Sequence, residues 1–132
     1  MSDNVFNELR TIRSRIESIE RTQEVLVRAE ADRILASILP RFREDLVLGQ
    51  IYLLVDGIRG QRQITTAMSQ AGMTGASEAT VSRKLEALRD LDVIELVDRT
   101  AAGKIYAKTQ VDRLLRLSRQ VERIVQGEAK RR

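Results

Sequence analysis

The chain has 132 residues, 42% of them apolar and 32% charged, with a net charge of +4 and neither cysteine nor histidine. Without those two residue types there is no disulfide, no thiolate nucleophile and no imidazole to serve as metal ligand or general base, and no clustered carboxylate pair takes their place. The expectation is one compact domain with appended helices that is not an enzyme and uses no metal and no cofactor.

Residues 1–39 carry 6 basic and 7 acidic residues, residues 40–109 carry 10 and 9, and residues 110–132 carry 7 and 3. The positive excess is therefore C-terminal, and the middle of the chain is close to neutral. Any binding of nucleic acid there must come from a local arrangement of charge, not from bulk attraction. The stretch MSDNVFNELR lacks the basic-then-apolar order of a signal peptide, and no apolar run approaches the roughly 20 residues needed to span a bilayer. A cytoplasmic or nucleoid-associated protein with no membrane partner is expected.

In chain order, the spacing predicts one long helix over residues 5–38. Val5, Leu9, Ile12, Ile16, Ile19, Gln23 and Leu26 recur at alternating intervals of four and three. That is a heptad seam, the pattern by which helices pair in a coiled coil. Gln23 falls on the seam, where a polar residue sets register. After Leu26 the seam shifts to Val27, Ile34, Ile38 and Leu39. A 34-residue helix would be about 50 Å long, longer than the domain it would otherwise cover. Leu9, Ile12, Ile16, Ile19 and Leu26 are thus candidates for a dimer interface, with packing on the chain's own domain as the alternative. The spacing leaves open a parallel dimer, an antiparallel dimer or a trimer.

Pro40 is expected to end that helix, because proline has no backbone donor. A core helix over about Glu44–Arg59 follows, with Leu46, Leu48, Ile51, Leu54, Val55 and Ile58 apolar. Gln61–Gln63 leads into a short helix whose apolar face is Ile64, Ala67, Met68, Ala71 and Met73, with Thr65 and Thr66 placed to cap it. Gly72 and Gly75 bracket a break. Ser77 is placed to cap the next helix, in which Val81, Leu85 and Leu88 mark the inward face. Val93, Ile94, Leu96 and Val97 are strand-forming, Asp98 to Gly103 is a turn, and Lys104 to Thr109 returns as a second strand. The C-terminal helix is expected over about Gln110–Val125, followed by a frayed tail. Its stripe of Val111, Leu114, Ser118, Val121 and Val125 makes Leu114 and Val121 further dimer candidates.

Helix, turn, helix and hairpin in that order resemble the winged helix-turn-helix transcription regulators, the broad group that includes MarR-like, ArsR-like and PadR-like repressors. The stretch Ser77-Glu-Ala-Thr-Val-Ser-Arg-Lys-Leu-Glu-Ala-Leu-Arg-Asp-Leu-Asp-Val-Ile-Glu carries the resemblance. Asp92 departs from it, since a glycine is usual there, and the wing is short. The resemblance implies a mainly α fold with a small β-hairpin wing. A winged helix-turn-helix domain over 40–109 would be flanked by a long coiled-coil-like helix over 1–39 and a dimerising helix with a basic tail over 110–132.

Such a domain implies a homodimer on double-stranded DNA, reading a palindromic site through the helix 77–91 and the wing 98–104. A recognition helix needs apolar residues behind it and short or hydrogen-bonding residues in front. Ala79, Thr80, Ser82 and Arg83 are the candidates to read bases, and the guanidinium fork of Arg83 suits guanine. Thr66, Ser77, Lys84, Arg99 and Lys104 are candidates for phosphate or wing contacts, with Arg59, Arg62 and Gln63 weaker ones. Each charge also has an ordinary reading as a solvated surface. The competing functions are a winged-helix adaptor that docks a protein partner, and a protein that organises or segregates DNA.

Overall fold

The computed structural model describes the backbone of residues 2–72 and 76–131, and the side chains of residues 5, 7–12, 14, 15, 17, 18, 28–72 and 76–127. The fold is mainly helical with a two-stranded antiparallel hairpin. In chain order it comprises α1 (Ser2–Glu44), α2 (Leu46–Leu54), α3 (Gln61–Gln70), α4 (Glu78–Asp90), β1 (Ile94–Thr100), β2 (Gly103–Lys108), α5 (Gln110–Leu115) and α6 (Leu117–Arg131). The chain divides into two units, residues 1–34 and residues 35–132. Among the described residues no helix is long and apolar enough to cross a membrane.

Residues 2–34 are a single run of helix. Val5, Leu9 and Ile12 are each more than half exposed. The side chains of Ile16, Ile19, Gln23, Leu26 and Val27 lie outside the described residues, as do Met73 and Gly75.

The second unit begins inside α1, and the expected stop at Pro40 is corrected: the helix runs through it to Glu44. A proline inside a helix costs about 3 kcal/mol, partly through one lost hydrogen bond. Here Ala36 and Pro40 are both exposed, so the lost bond falls on the solvent side of the helix. Beyond the proline, Phe42 is completely buried and Ile38 nearly so, and burying a large apolar side chain contributes about 1.5–3 kcal/mol. Tertiary packing therefore carries the helix one turn past its local stop signal. Phe42 meets Tyr52 of α2 with ring centroids 5.6 Å apart.

Asp45 then caps α2 by accepting from the Leu48 N–H at 3.1 Å. The core helix is shorter than its apolar pattern suggested, ending at Leu54. The next residues form a loop: the Asp56 carboxylate accepts from the N–H groups of Ile58 and Arg59 at 2.9 and 2.8 Å, and Ile58 is 78% exposed instead of buried. Gly49 lets α6 approach closely, since a Cβ there would lie 3.1 Å from Val121 and 3.2 Å from Val125.

Helix α3 buries Ile64 and Met68. Its cap is not Thr65 or Thr66, which donate back to the carbonyls of Gln61 and Arg62. Instead the Gly60 N–H donates to Gln63 Oε1 at 2.8 Å, and the Arg62 N–H donates to the Ala102 carbonyl at 3.1 Å. The hairpin turn thus closes the start of α3. Gly60 also forms an isolated antiparallel bridge with Ile105 of β2.

Helix α4 matches its sequence signals. Ser77 Oγ accepts from the Thr80 N–H at 3.2 Å, and Val81, Leu85 and Leu88 are fully buried. The helix closes with a left-handed residue, Asp92 at φ 61°. The Asp92 N–H donates to the Arg89 carbonyl at 2.9 Å and the Val93 N–H to the Leu88 carbonyl at 3.3 Å. These two bonds, with buried Leu88 and Val93, complete a Schellman cap in which aspartate stands where glycine is usual.

The hairpin registers Ile94 with Lys108 and Thr100 with Gly103, with a bulge between Leu96 and Asp98. The expected six-residue turn is corrected to two residues, Ala101 and Ala102, because Asp98 to Thr100 are paired as strand. Tyr106 is packed beneath the hairpin, 2% exposed.

The expected C-terminal helix is two helices. Arg116 at φ 52° breaks it. Asp112 Oδ1 accepts from the Ser118 N–H at 2.8 Å, the Ser118 hydroxyl at 2.6 Å and the Tyr52 hydroxyl at 2.6 Å. One carboxylate therefore caps α6 and anchors α2. The Lys108 ammonium lies 5.2 Å from the Tyr52 ring centroid. Val121 is fully buried by the chain's own domain, which corrects its assignment to a partner-facing seam, whereas Leu114 is 59% exposed. The helical backbone continues past Val125 to Arg131.

Candidate nucleic-acid interface

Successive residues of a helix are about 100° apart. With Val81, Leu85 and Leu88 turned inward, Ala79, Arg83, Glu86 and Asp90 fall on the opposite face of α4, and all four are exposed. Thr80 and Ser82 lie on opposite flanks and are half-buried. The four expected base readers are thus one helical neighbourhood with Ala79 and Arg83 at its crest. Arg83 Nη2 donates to Thr80 Oγ1 at 3.5 Å, and the Ser77 hydroxyl donates to the same oxygen at 3.0 Å. The first turn of α4 is in this way a short polar chain, open to solvent, ending in a guanidinium.

The charges of this neighbourhood divide into engaged and free. Lys84, expected on phosphate, is half-buried and ion-paired with Asp45. Its charge is neutralised by the residue that caps α2, so it is withdrawn as a phosphate contact. Arg62 lies 3.6 Å from the Glu78 carboxylate and donates to the Ala101 carbonyl at 3.3 Å. It joins the starts of α3 and α4 to the hairpin turn, a role with no local sequence signal because its partners are 16 and 39 residues away. Arg59 answers Asp56 at 3.8 Å. Thr66 is exposed on α3, its hydroxyl donating to the Arg62 carbonyl. Among the described residues no ion pair engages Arg83, Arg99 or Lys104.

Arg99 and Lys104 are cross-strand partners. Two like charges directly opposite each other destabilise a hairpin, so the pair concentrates positive charge next to the turn. Burial pushes the Tyr106 hydroxyl above its ordinary value; Glu86 adds to this, and Arg89 and Arg99 oppose it. These charges from α4 and the hairpin therefore act on one buried phenol. The turn itself does not project freely. Its Ala102 carbonyl is engaged by the Arg62 N–H, and a Cβ on Gly60 would stand 2.5 Å from that oxygen.

The assembled surface is a crest of Ala79 and Arg83, a flank of Thr80 and Ser82, and a basic pair on the hairpin. The rear of α4 adds two acids, Glu86 and Asp90. Such a surface suits a polyanion approached by the first two turns of α4 and disfavours one lying along its whole length. No family model matches the chain, and neither a curated protein nor a solved structure matches it.

Proposed function

We propose that the chain is a sequence-specific double-stranded DNA-binding protein, a homodimeric transcriptional regulator of winged helix-turn-helix type that reads a palindromic site. Helix α4 is its recognition helix and the hairpin its wing. The observation that carries this reading is the contrast across α4: its inner residues are fully buried, while Ala79 and Arg83 stand open, with no acid paired to Arg83 among the described residues. Arg83 has the fork geometry for guanine O6 and N7, Ala79 suits a thymine methyl, and Thr80 and Ser82 can reach base edges or phosphate. Arg99 and Lys104 would contact the backbone beside the groove. The docked turn makes this wing a backbone contact instead of a deep minor-groove probe. The N-terminal end of α4 enters the groove first, which keeps Glu86 and Asp90 away from phosphate.

A second reading has its own observation. The acids at the rear of α4 and the nearly neutral domain also suit an adaptor that docks a protein. Selection of bound sequences from random duplex DNA at about 150 mM salt, with Arg83→Ala as control, separates the two. An enriched palindrome that the control fails to select supports the DNA reading. Absence of enrichment, with binding that disappears as salt rises, overturns it in favour of the adaptor.

A further inference from the structure

The apolar row at the start of α1 has Val5, Leu9 and Ile12 each more than half exposed, and its spacing continues along the helical backbone through positions 16, 19, 23 and 26. We propose that this segment pairs in parallel, in register, with the same segment of another copy of this chain. The inference rests on the self-association contained in the proposed function and adds its orientation.

The heptad places Val5, Ile12, Ile19 and Leu26 at d and Leu9, Ile16 and Gln23 at a. The flanking g positions are then Glu8 and Arg15, and the e positions that they meet across a parallel interface are Arg13 and Glu20. Both pairings, Glu8 with Arg13 and Arg15 with Glu20 of the other copy, are attractive, and symmetry doubles each. Gln23 meets Gln23, so each amide finds a hydrogen-bonding partner within the seam.

Two antiparallel registers overlap most of the seam. One sets Arg13 against Arg13, Arg15 against Arg15, and Gln23 against Val5. The other keeps only the Arg13 to Glu20 attraction and sets Gln23 against Ile12. Each leaves the amides facing apolar residues, which costs free energy when a polar group is buried without a partner. Charge and polarity at four flanking positions and one core position thus select the parallel arrangement.

The seam has a defined end. The next a and d positions are Glu30 and Arg33, which are exposed and ion-paired with each other. Ile38 and Phe42 then turn into the core of residues 35–132. β-Branched residues at d are less selective for two strands than leucine, so strand number is read from mass and orientation from chemistry.

The absence of native cysteine makes the test direct. The full chain carrying Val5→Cys is oxidised, and its mass in solution is measured before and after. Parallel pairing places the two thiols side by side, and a disulfide-linked dimer is expected. Antiparallel pairing separates them by about 27 Å or more along the helices, far beyond disulfide reach. Cross-linking only in a mixture of Val5→Cys with Gln23→Cys or Ile12→Cys with Gln23→Cys overturns the orientation and leaves self-association intact. A monomer at all concentrations overturns both. A parallel trimer supports the seam and removes the twofold symmetry from the proposed function. As an independent check, Glu8→Arg should weaken association about tenfold, because symmetry turns two attractive e–g pairs into two repulsive ones, and adding Arg13→Glu should restore it. Failure of the second change to restore association counts against the assigned pairs. DNA selection is read separately on the unmodified chain.

Discussion

Arg99 and Lys104 face each other across the hairpin as a cross-strand pair of like charge. Direct opposition of like charges costs a hairpin about 0.2–1 kcal/mol, a cost that binding to phosphate would offset. Lys104→Glu should therefore raise stability by up to about 1 kcal/mol in urea unfolding, while lowering affinity for duplex DNA and flattening its salt dependence. Unchanged DNA affinity would remove this pair from the interface.

Arg83 and Lys84 are adjacent in sequence but differ in engagement. Arg83→Ala should weaken binding to the preferred site by about 1–3 kcal/mol and relax selection at one base, with no change in unfolding. Lys84→Ala should lower stability by up to about 1 kcal/mol by breaking its pair with Asp45, and leave the salt slope of DNA binding as it was. Paired titrations at several salt concentrations check both, and a salt slope altered by Lys84→Ala would return that lysine to the phosphate contacts.

Gly60 permits the hairpin turn to close on α3. A Cβ there would lie 2.5 Å from the Ala102 carbonyl and 2.8 Å from its Cβ. Gly60→Ala should cost about 1–3 kcal/mol through overpacking. Because the same contact holds Arg62 against the turn, the variant should also weaken DNA binding more than its loss of stability explains. A thermal unfolding midpoint equal to that of the parent chain would contradict the close approach.

Asp92 holds a left-handed conformation that glycine adopts without strain. Asp92→Gly should stabilise the fold by about 0.5–1 kcal/mol, because the cap uses backbone groups alone and Thr109 Oγ1 donates to the Asp92 carbonyl, not to its side chain. Destabilisation in calorimetry would show that the carboxylate contributes a contact of its own.

Asp112 ties the break between α5 and α6 to the core. Burial raises its carboxyl pKa, but the hydrogen bonds from Ser118 and Tyr52 and the nearby Lys108 together hold it below the usual carboxylate value. Burial lowers the Lys108 ammonium, opposed by Asp112 and Asp56. With the folded carboxyl depressed, the unfolded chain binds the proton more readily in acid. The contribution of Asp112 is complete above about pH 5 and is lost as pH falls through the ordinary carboxylate range and below it. Asp112→Ala should cost about 1–3 kcal/mol for each buried donor left without an acceptor, and should flatten the acid limb of stability. An acid limb as steep as that of the parent chain would place its origin elsewhere.

The helix that carries the candidate interface was legible because its determinants are local. Ser77 sits one turn before the residues it caps, and Val81, Leu85 and Leu88 recur at the helical period. The left-handed stop at Asp92 was marked as an anomaly by the absence of glycine. The ion pair of Lys84 was not legible for the complementary reason: its acid lies 39 residues away, and no local pattern announces it. The six-residue turn from Asp98 to Gly103 was read from a run of turn-forming residues, which strand pairing then absorbed up to Thr100.

The sequence by itself determined the order of helices and hairpin, the inward face of α4, the burial of Ile64 and Met68 on α3 (though not of Ala71, which is exposed), and the heptad row of α1, because periodicity and capping act over a few residues. Tertiary structure alone decided that α1 continues through Pro40, that Val121 is buried by its own chain, that the C-terminal helix breaks at Arg116, and that Lys84 is neutralised while Arg83 stays open. Each of these outcomes depends on the burial of Phe42, the approach of α6 to Gly49, or a carboxylate reaching across tens of residues. The free energy of such contacts is set by which surfaces meet, and it exceeds the local preferences they override.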